Sequence, residues 1–135
     1  MTAQSLSVRV YYEDTDAGGI VYHASYLRYA ERGRTEFIRA LGVDQQQLRQ
    51  ETGLGFAVTR LTVDYLKPGI LDDLLTVVTE VVSAKRVSAD FRQIVRRGEE
   101  VLALLDVRVA CLDRRGRPAR LPSALAQAKT VTDTP

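Results

Sequence analysis

The chain has 135 residues, with 19 Lys or Arg against 17 Asp or Glu, one His, one Cys and no Trp, for a formal net charge of +2. With His23 and Cys111 as its only soft ligands, it cannot build a four-ligand structural zinc site or an internal disulfide. Any Ser-His-Asp or Cys-His triad must pass through His23. The near-neutral balance gives no broad field for nucleic acid, and no apolar run reaches the ~20 residues that span a bilayer. The opening MTAQSLSVRV has neither the charged nor the apolar region of a signal peptide. The expectation is a soluble, cytoplasmic protein whose residues 1–135 form one domain.

In chain order, Leu6–Tyr12 alternates Leu6, Val8, Val10 and Tyr12 with Ser7, Arg9 and Tyr11, the period of a strand. An acidic, glycine-bearing loop, EDTDAGG, follows. From Ala24 to Leu41 the spacing of Leu27, Ala30, Phe37, Ile38 and Leu41 predicts an amphipathic helix, stopped at Gly42. Gly33 falls within it. A glycine there costs ~1 kcal/mol of helix propensity and lets another element approach closely.

After a polar stretch from Val43 to Gly55 the chain reads as strand four times: Phe56–Lys67, Leu74–Ser83, Val87–Arg96 and Glu100–Leu112. The junctions Ala84–Arg86 and Arg97–Glu99 are short enough for hairpins. Consecutive hairpins make an antiparallel sheet, and its apolar face needs a cover that only the 24–41 helix supplies. The expected fold class is α+β: a five-stranded antiparallel sheet curved around one long helix. A basic turn, DRRGRP, and a short Ala-rich segment close the chain.

The informative segment is YYEDTDAGGIVYHASYLRY, residues 11–29. Its Asp14, Asp16 and Gly19 imitate an EF-hand start, but the bidentate Glu of that loop would be Ser25, so the match fails. The Asp-x-Asp of aspartyl phosphatases needs a doubly wound parallel domain, which a run of hairpins is not. With a helix starting near Ala24, His23 lies at its N-terminus, where unpaired N–H groups and the positive dipole end can hold an oxyanion. Gly18 and Gly19 leave room for close approach, and Asp16 nearby is a candidate general base or nucleophile. That set suits acyl transfer to water. The bland alternatives are a turn carboxylate for Asp16, a solvated ring for His23 and core packing for Tyr12. Asp14 reads better as a turn or capping residue, and Cys111 as a small buried hydrophobe.

The run Y-x-E-D-T-D-A-G-G-I-V-Y-H-A-S-Y-L-R-Y-A-E-R-G-R-T-E resembles the signature of the YbgC-like acyl-CoA thioesterases. These form part of the 4-hydroxybenzoyl-CoA thioesterase branch of the hotdog superfamily. The resemblance extends through DYLKPGILDDLLTV and covers about residues 6–125. It implies the hotdog fold and hydrolysis of an acyl-CoA thioester without metal or cofactor. It also implies Asp16 as the catalytic carboxylate, with supporting roles for Tyr12 and His23. It makes a homodimer or a tetramer of two dimers the expected assembly. Gly18 and Gly19 would line the substrate, and Lys85 and Arg86, with Arg114, Arg115 and Arg117, are candidates for the phosphates of coenzyme A. The alternative for those basic residues is a solvated turn. Relatives are associated with acyl carrier protein and with the Tol–Pal envelope system, of which the residues themselves carry no sign. Two other readings stay open: a hotdog module that binds acyl-CoA or acyl carrier protein without hydrolysis, and a hotdog hydratase.

Overall fold

The computed structural model describes residues 2–129. Five strands carry most of it: β1 (Gln4–Arg9), β2 (Gly55–Tyr65), β3 (Leu74–Ala84), β4 (Ser88–Arg97) and β5 (Glu100–Leu112). They form one antiparallel sheet in the order β1-β3-β4-β5-β2. The three hairpin-linked strands β3, β4 and β5 are its centre, and the strands that sit apart in sequence, β1 and β2, become its two edges. Leu75, Val77, Val81, Phe91, Val95, Leu105, Val107 and Val109 point inward from the central strands and are fully or almost fully buried.

The helix α1 (His23–Ala40) lies across the apolar face and packs chiefly on β3, β1 and β4. Tyr26, Tyr29, Ala30, Phe37 and Ile38 form its buried stripe at three- and four-residue spacing, and the Phe37 ring meets Phe91 edge-on at 5.8 Å. Each large side chain on that stripe contributes about 1.5–3 kcal/mol by leaving water. Gly33 does what its position suggests. A Cβ there would sit 2.8 Å from both Thr79 Oγ1 and Val77 Cγ1, so only glycine lets the helix lie this close to β3.

Two expectations need correction. The first strand stops at Arg9, because the Asp14 carboxylate takes the Tyr11 N–H at 2.9 Å and folds Tyr12–Asp14 into a single 3-10 turn. The polar stretch holds a second helix, α2 (Gln45–Thr52), capped by Asp44 through the Gln47 N–H and ended by Gly53 in a left-handed conformation. None of its residues is buried, so it shows no apolar period for a sequence reading to catch. Strand β2 lies beyond β5 as an edge, and most of it is exposed. A four-residue helix, α3 (Ser123–Ala126), seats Leu125 in the core. Among the described residues no helix is long and apolar enough to cross a membrane.

Candidate active site

The loop between β1 and α1 is held from both sides. Val10 donates to the Asp73 carbonyl and accepts from Asp72 N–H, and Ile20 bridges Ile70 while Val21 N–H reaches the Gly69 carbonyl at 2.9 Å. The two segments 10–22 and 66–73 therefore form one unit at the N-terminal end of α1. Asp14 serves the turn: its carboxylate holds Tyr11 N–H, and its carbonyl accepts from Tyr22 N–H and from Ser25 Oγ. Its main chain thus anchors the first turn of the helix.

Asp16 begins a tight hairpin. Its N–H donates to the Ile20 carbonyl, Gly19 N–H returns to the Asp16 carbonyl, and Gly18 N–H donates to Asp16 Oδ1 at 2.8 Å. The turn needs Gly19 at φ +84°, a left-handed conformation that a side chain disfavours. One carboxylate oxygen is thereby steadied by a backbone donor while the other stays available. Gly18 and Gly19 act here by shaping this turn.

Helix α1 starts at His23 with no side-chain cap; Ser25 N–H turns back to the Tyr22 carbonyl at 2.8 Å, and the His23 and Ala24 N–H groups before it are left to solvent or a ligand. Asp16 and His23 line one cavity of about 380 Å³, walled by Ile20, Val21, Tyr26, Tyr65, Leu66 and Pro68, with Lys67 at its side. The Lys67 ammonium is paired with Glu100 at 3.0 Å. The His23 ring leans on Tyr22 at 4.4 Å between centroids and faces Tyr65 edge-on at 6.4 Å. Among the described residues no hydrogen bond links that ring to Asp16, whose Oδ1 takes the Gly18 N–H. A larger groove of about 860 Å³, between α2 and the turn after β5, joins no free carboxylate to a helix start. Its Asp113 is occupied by the N–H groups of Arg115 and Arg117.

Tyrosines shape the cavity's electrostatics. Tyr26 accepts Gly69 N–H at 2.9 Å, and burial pushes its phenol up from the ordinary range against that bond. Burial, and then its neighbour Tyr26, likewise keeps the Tyr65 phenol protonated. Tyr65 donates to the His23 carbonyl oxygen at 2.8 Å. No local pattern marks Tyr65 as part of the site, because its place depends on which strand becomes the edge.

The remaining expected site residues lie elsewhere in the single chain. Tyr12 is 82% exposed in the 3-10 turn and does not wall this cavity. Lys85 and Arg86 sit in the β3–β4 hairpin, while Asp16 lies by the start of β3, about 33 Å away along the strand. Cys111 is buried on β5, and burial pushes its thiol up, away from nucleophilic use.

A family model described as the thioesterase-like superfamily matches residues 10–128. The chain belongs to that superfamily, in its YbgC branch. An acyl-CoA thioesterase YbgC from Haemophilus influenzae is 46% identical over 125 residues, covering 92% of each chain. Among solved structures, a probable thioesterase from Bartonella henselae superposes with a TM-score of 0.87 at 34% identity, covering 90% of this chain and all of that one. A thioesterase from Thermus thermophilus, solved with coenzyme A and zinc, matches at a TM-score of 0.78 and 30% identity over 92% of this chain and 89% of its own. The five-stranded antiparallel sheet with its long helix is the hotdog fold of this superfamily.

Proposed function

We propose that this thioesterase-family protein hydrolyses an acyl-CoA thioester to a carboxylate and free coenzyme A, with Asp16 as general base or nucleophile. The observation that carries this reading is that the Asp16 carboxylate and the uncapped start of α1 open on one cavity. The curated relatives named as acyl-CoA thioesterases, and the coenzyme A in the Thermus structure, support the substrate class. A thioester seated there has its carbonyl oxygen at the helix end, whose N–H groups and dipole stabilise the negative charge as it develops. In one course, Asp16 takes a proton from water while the water oxygen bonds to the carbonyl carbon. The C–S bond then breaks, and the coenzyme A thiolate leaves and is protonated. In the other course, an Asp16 oxygen attacks the carbonyl carbon, the C–S bond breaks as the coenzyme A thiolate leaves and is protonated, and water then opens the resulting anhydride to the acid and the free Asp16 carboxylate. His23, at the mouth, orients water or carbonyl. Because Tyr12 stands outside the cavity, no step is assigned to it.

The reading includes a dimer. A two-fold pairing of β2 edges runs the strands antiparallel, setting the Tyr65 end of one copy against the Gly55 end of the other. The β3–β4 hairpin lies at that Gly55 end, since Gly55 faces Leu112 and Ser88 faces Ala110. The second copy thereby carries its Lys85 and Arg86 toward the site that the same residues of the first copy do not reach. Cations there would meet the phosphates of coenzyme A.

Purified protein is expected to release free thiol from a panel of short, long and aromatic acyl-CoAs. Asp16→Asn is expected to lose at least ~10²-fold of that rate, in line with a missing general base. A variant with the wild-type rate overturns the assignment in favour of a binding module. Single turnover in heavy-oxygen water separates the two courses, since label in the Asp16 carboxylate marks the covalent one.

A further inference from the structure

We infer that Asp73 is a positioning residue for the Asp16 carboxylate, acting through the peptide groups that cross from the 66–73 segment to the Asp16 hairpin. The inference rests on the hydrolytic reading above. One oxygen of the Asp73 carboxylate accepts Ile70 N–H at 3.0 Å. That N–H shares its peptide with the Gly69 carbonyl, which accepts Val21 N–H at 2.9 Å. Val21 N–H in turn shares its peptide with the Ile20 carbonyl, which accepts Asp16 N–H at 2.9 Å. An unbroken run of hydrogen bonds therefore leads from the Asp73 side chain to the Asp16 main chain. Each peptide in it both donates and accepts, so the bonds reinforce one another. Asp16, Ile20 and Val21 all line the cavity, and Gly18 N–H then fixes Asp16 Oδ1 relative to that main chain.

The Asp73 end of this run is itself fastened. The Arg97 guanidinium donates to the same Asp73 oxygen and, through its other terminal nitrogen, to Glu100, whose second oxygen takes Lys67 at 3.0 Å. Arg97 ends β4 and Glu100 begins β5, so one hairpin of the sheet grips the segment at both Lys67 and Asp73. The grip has a purpose there. Asp72 sits at φ +70°, a left-handed conformation that a side chain disfavours, so the turn from Ile70 to Asp73 needs support. The Asp73 side chain is only 15% exposed, which leaves little water to compete for its bonds. Without that carboxylate the Ile70 N–H loses its acceptor, and the Asp16 hairpin loses the rigid backing on which it is hung. A displacement of about 1 Å at a reacting group can cost ~10²-fold in rate.

Asp73→Ala is expected to lower kcat for acyl-CoA hydrolysis about tenfold, with KM within about twofold of wild type. Asp73→Asn keeps an oxygen for Ile70 N–H and should return kcat to within about threefold of wild type. A second readout does not depend on activity. Amide hydrogen exchange in Asp73→Ala should speed up at Val21 and Asp16, while Phe91 and Val95 in the core keep their protection. A kcat within about twofold of wild type in Asp73→Ala, or no rescue by Asn, overturns the inference. So does exchange that quickens equally at Phe91 and Val95, which is the mark of a residue that only stabilises the fold. Should Asp73→Ala not fold, Arg97→Met repeats the test with the carboxylate left in place but ungripped. It should speed exchange at Val21 and Asp16 and lower kcat about threefold, and unchanged values there overturn the inference too. Asp16→Asn, run beside these, keeps the two readings apart. If it retains the wild-type rate the hydrolytic assignment falls, while exchange at Val21 and Asp16 still decides whether Asp73 holds the hairpin.

Discussion

Gln93, on β4, is fully buried and satisfies three other groups with one amide. Its Oε1 accepts from Arg34 at 2.9 Å, and its Nε2 donates to the Ala30 carbonyl and to Thr79 Oγ1, each at 2.8 Å. Arg34 and Thr79 are buried too, and desolvation lowers the Arg34 pKa while nearby Glu31 acts the other way. Gly33 is the reason this network fits, since a Cβ would come within 3.0 Å of Gln93 Nε2. The propensity cost of that glycine is thus offset by polar groups paired beneath the helix. Gln93→Leu preserves the volume and leaves a guanidinium, a hydroxyl and a carbonyl without their partner. The expected loss is about 3 kcal/mol, read as a fall of roughly 10 °C in Tm. Adding Arg34→Met should recover part of it, because removing both partners is cheaper than stranding one charge. A single variant within about 1 kcal/mol of wild type would show that the amide is dispensable.

At the scale of elements, what was legible in the sequence is what repeats locally. The period of 24–41 marks α1 to within one residue at each end, and the alternation in 74–112 marks three strands and their hairpins. The Asp16 turn and the helix start at His23 are readable because both lie in one contiguous run. Two things were not. Helix α2 carries no apolar face, and only its Asp44 and Gly53 caps betray it. Tyr65 joins the site through the sheet order, which no local pattern encodes. The same order leaves β2 as an 11-residue edge with Val58, Leu61 and Tyr65 exposed at 47%, 40% and 48%. An open edge of this kind pairs unless it is guarded. The protein is therefore expected to sediment as a dimer or a multiple of one. Leu61→Lys puts a charge at the middle of that edge and should shift the species toward monomer. Loss of the second copy's cations should raise KM for acyl-CoA about tenfold, roughly one charge-assisted hydrogen bond. A variant that stays dimeric, or a monomer with unchanged KM, rules out edge pairing as the source of those cations.

Across the whole molecule, the shifted groups predict an asymmetric response to pH. On the acid side, Glu100 is held below its ordinary range first by Arg97 and then by Lys67, and Asp113 by the N–H groups of its own turn. Depressed carboxylates stabilise above their unfolded pKa and lose that contribution as pH falls through the folded one. Both are partly exposed to solvent, which screens these pairs, so the acid limb should be shallow. The alkaline side is different. Burial raises Cys111 from 9.0 and Tyr26, Tyr29 and Tyr65 from 10.0, with the Asp14 carboxylate adding to the rise at Tyr29. A raised folded pKa means the contribution is complete below the unfolded value and is lost as pH climbs through the folded one. Tm should therefore hold level to about pH 8.5, begin to fall near the ordinary thiol value and fall faster above about pH 10, where the phenols join. Cys111 lies on the inner face of β5 and the tyrosines lie on or beside α1, so all act on the packing of helix and sheet and should report one cooperative transition. Cys111→Ala lowers Tm by leaving a small cavity, and that offset should be constant below about pH 8. What the variant should change is the shape, moving the onset of the fall from the thiol range to about pH 10. An onset left at about pH 9 in Cys111→Ala would mean that another group, and not this thiol, governs the first loss.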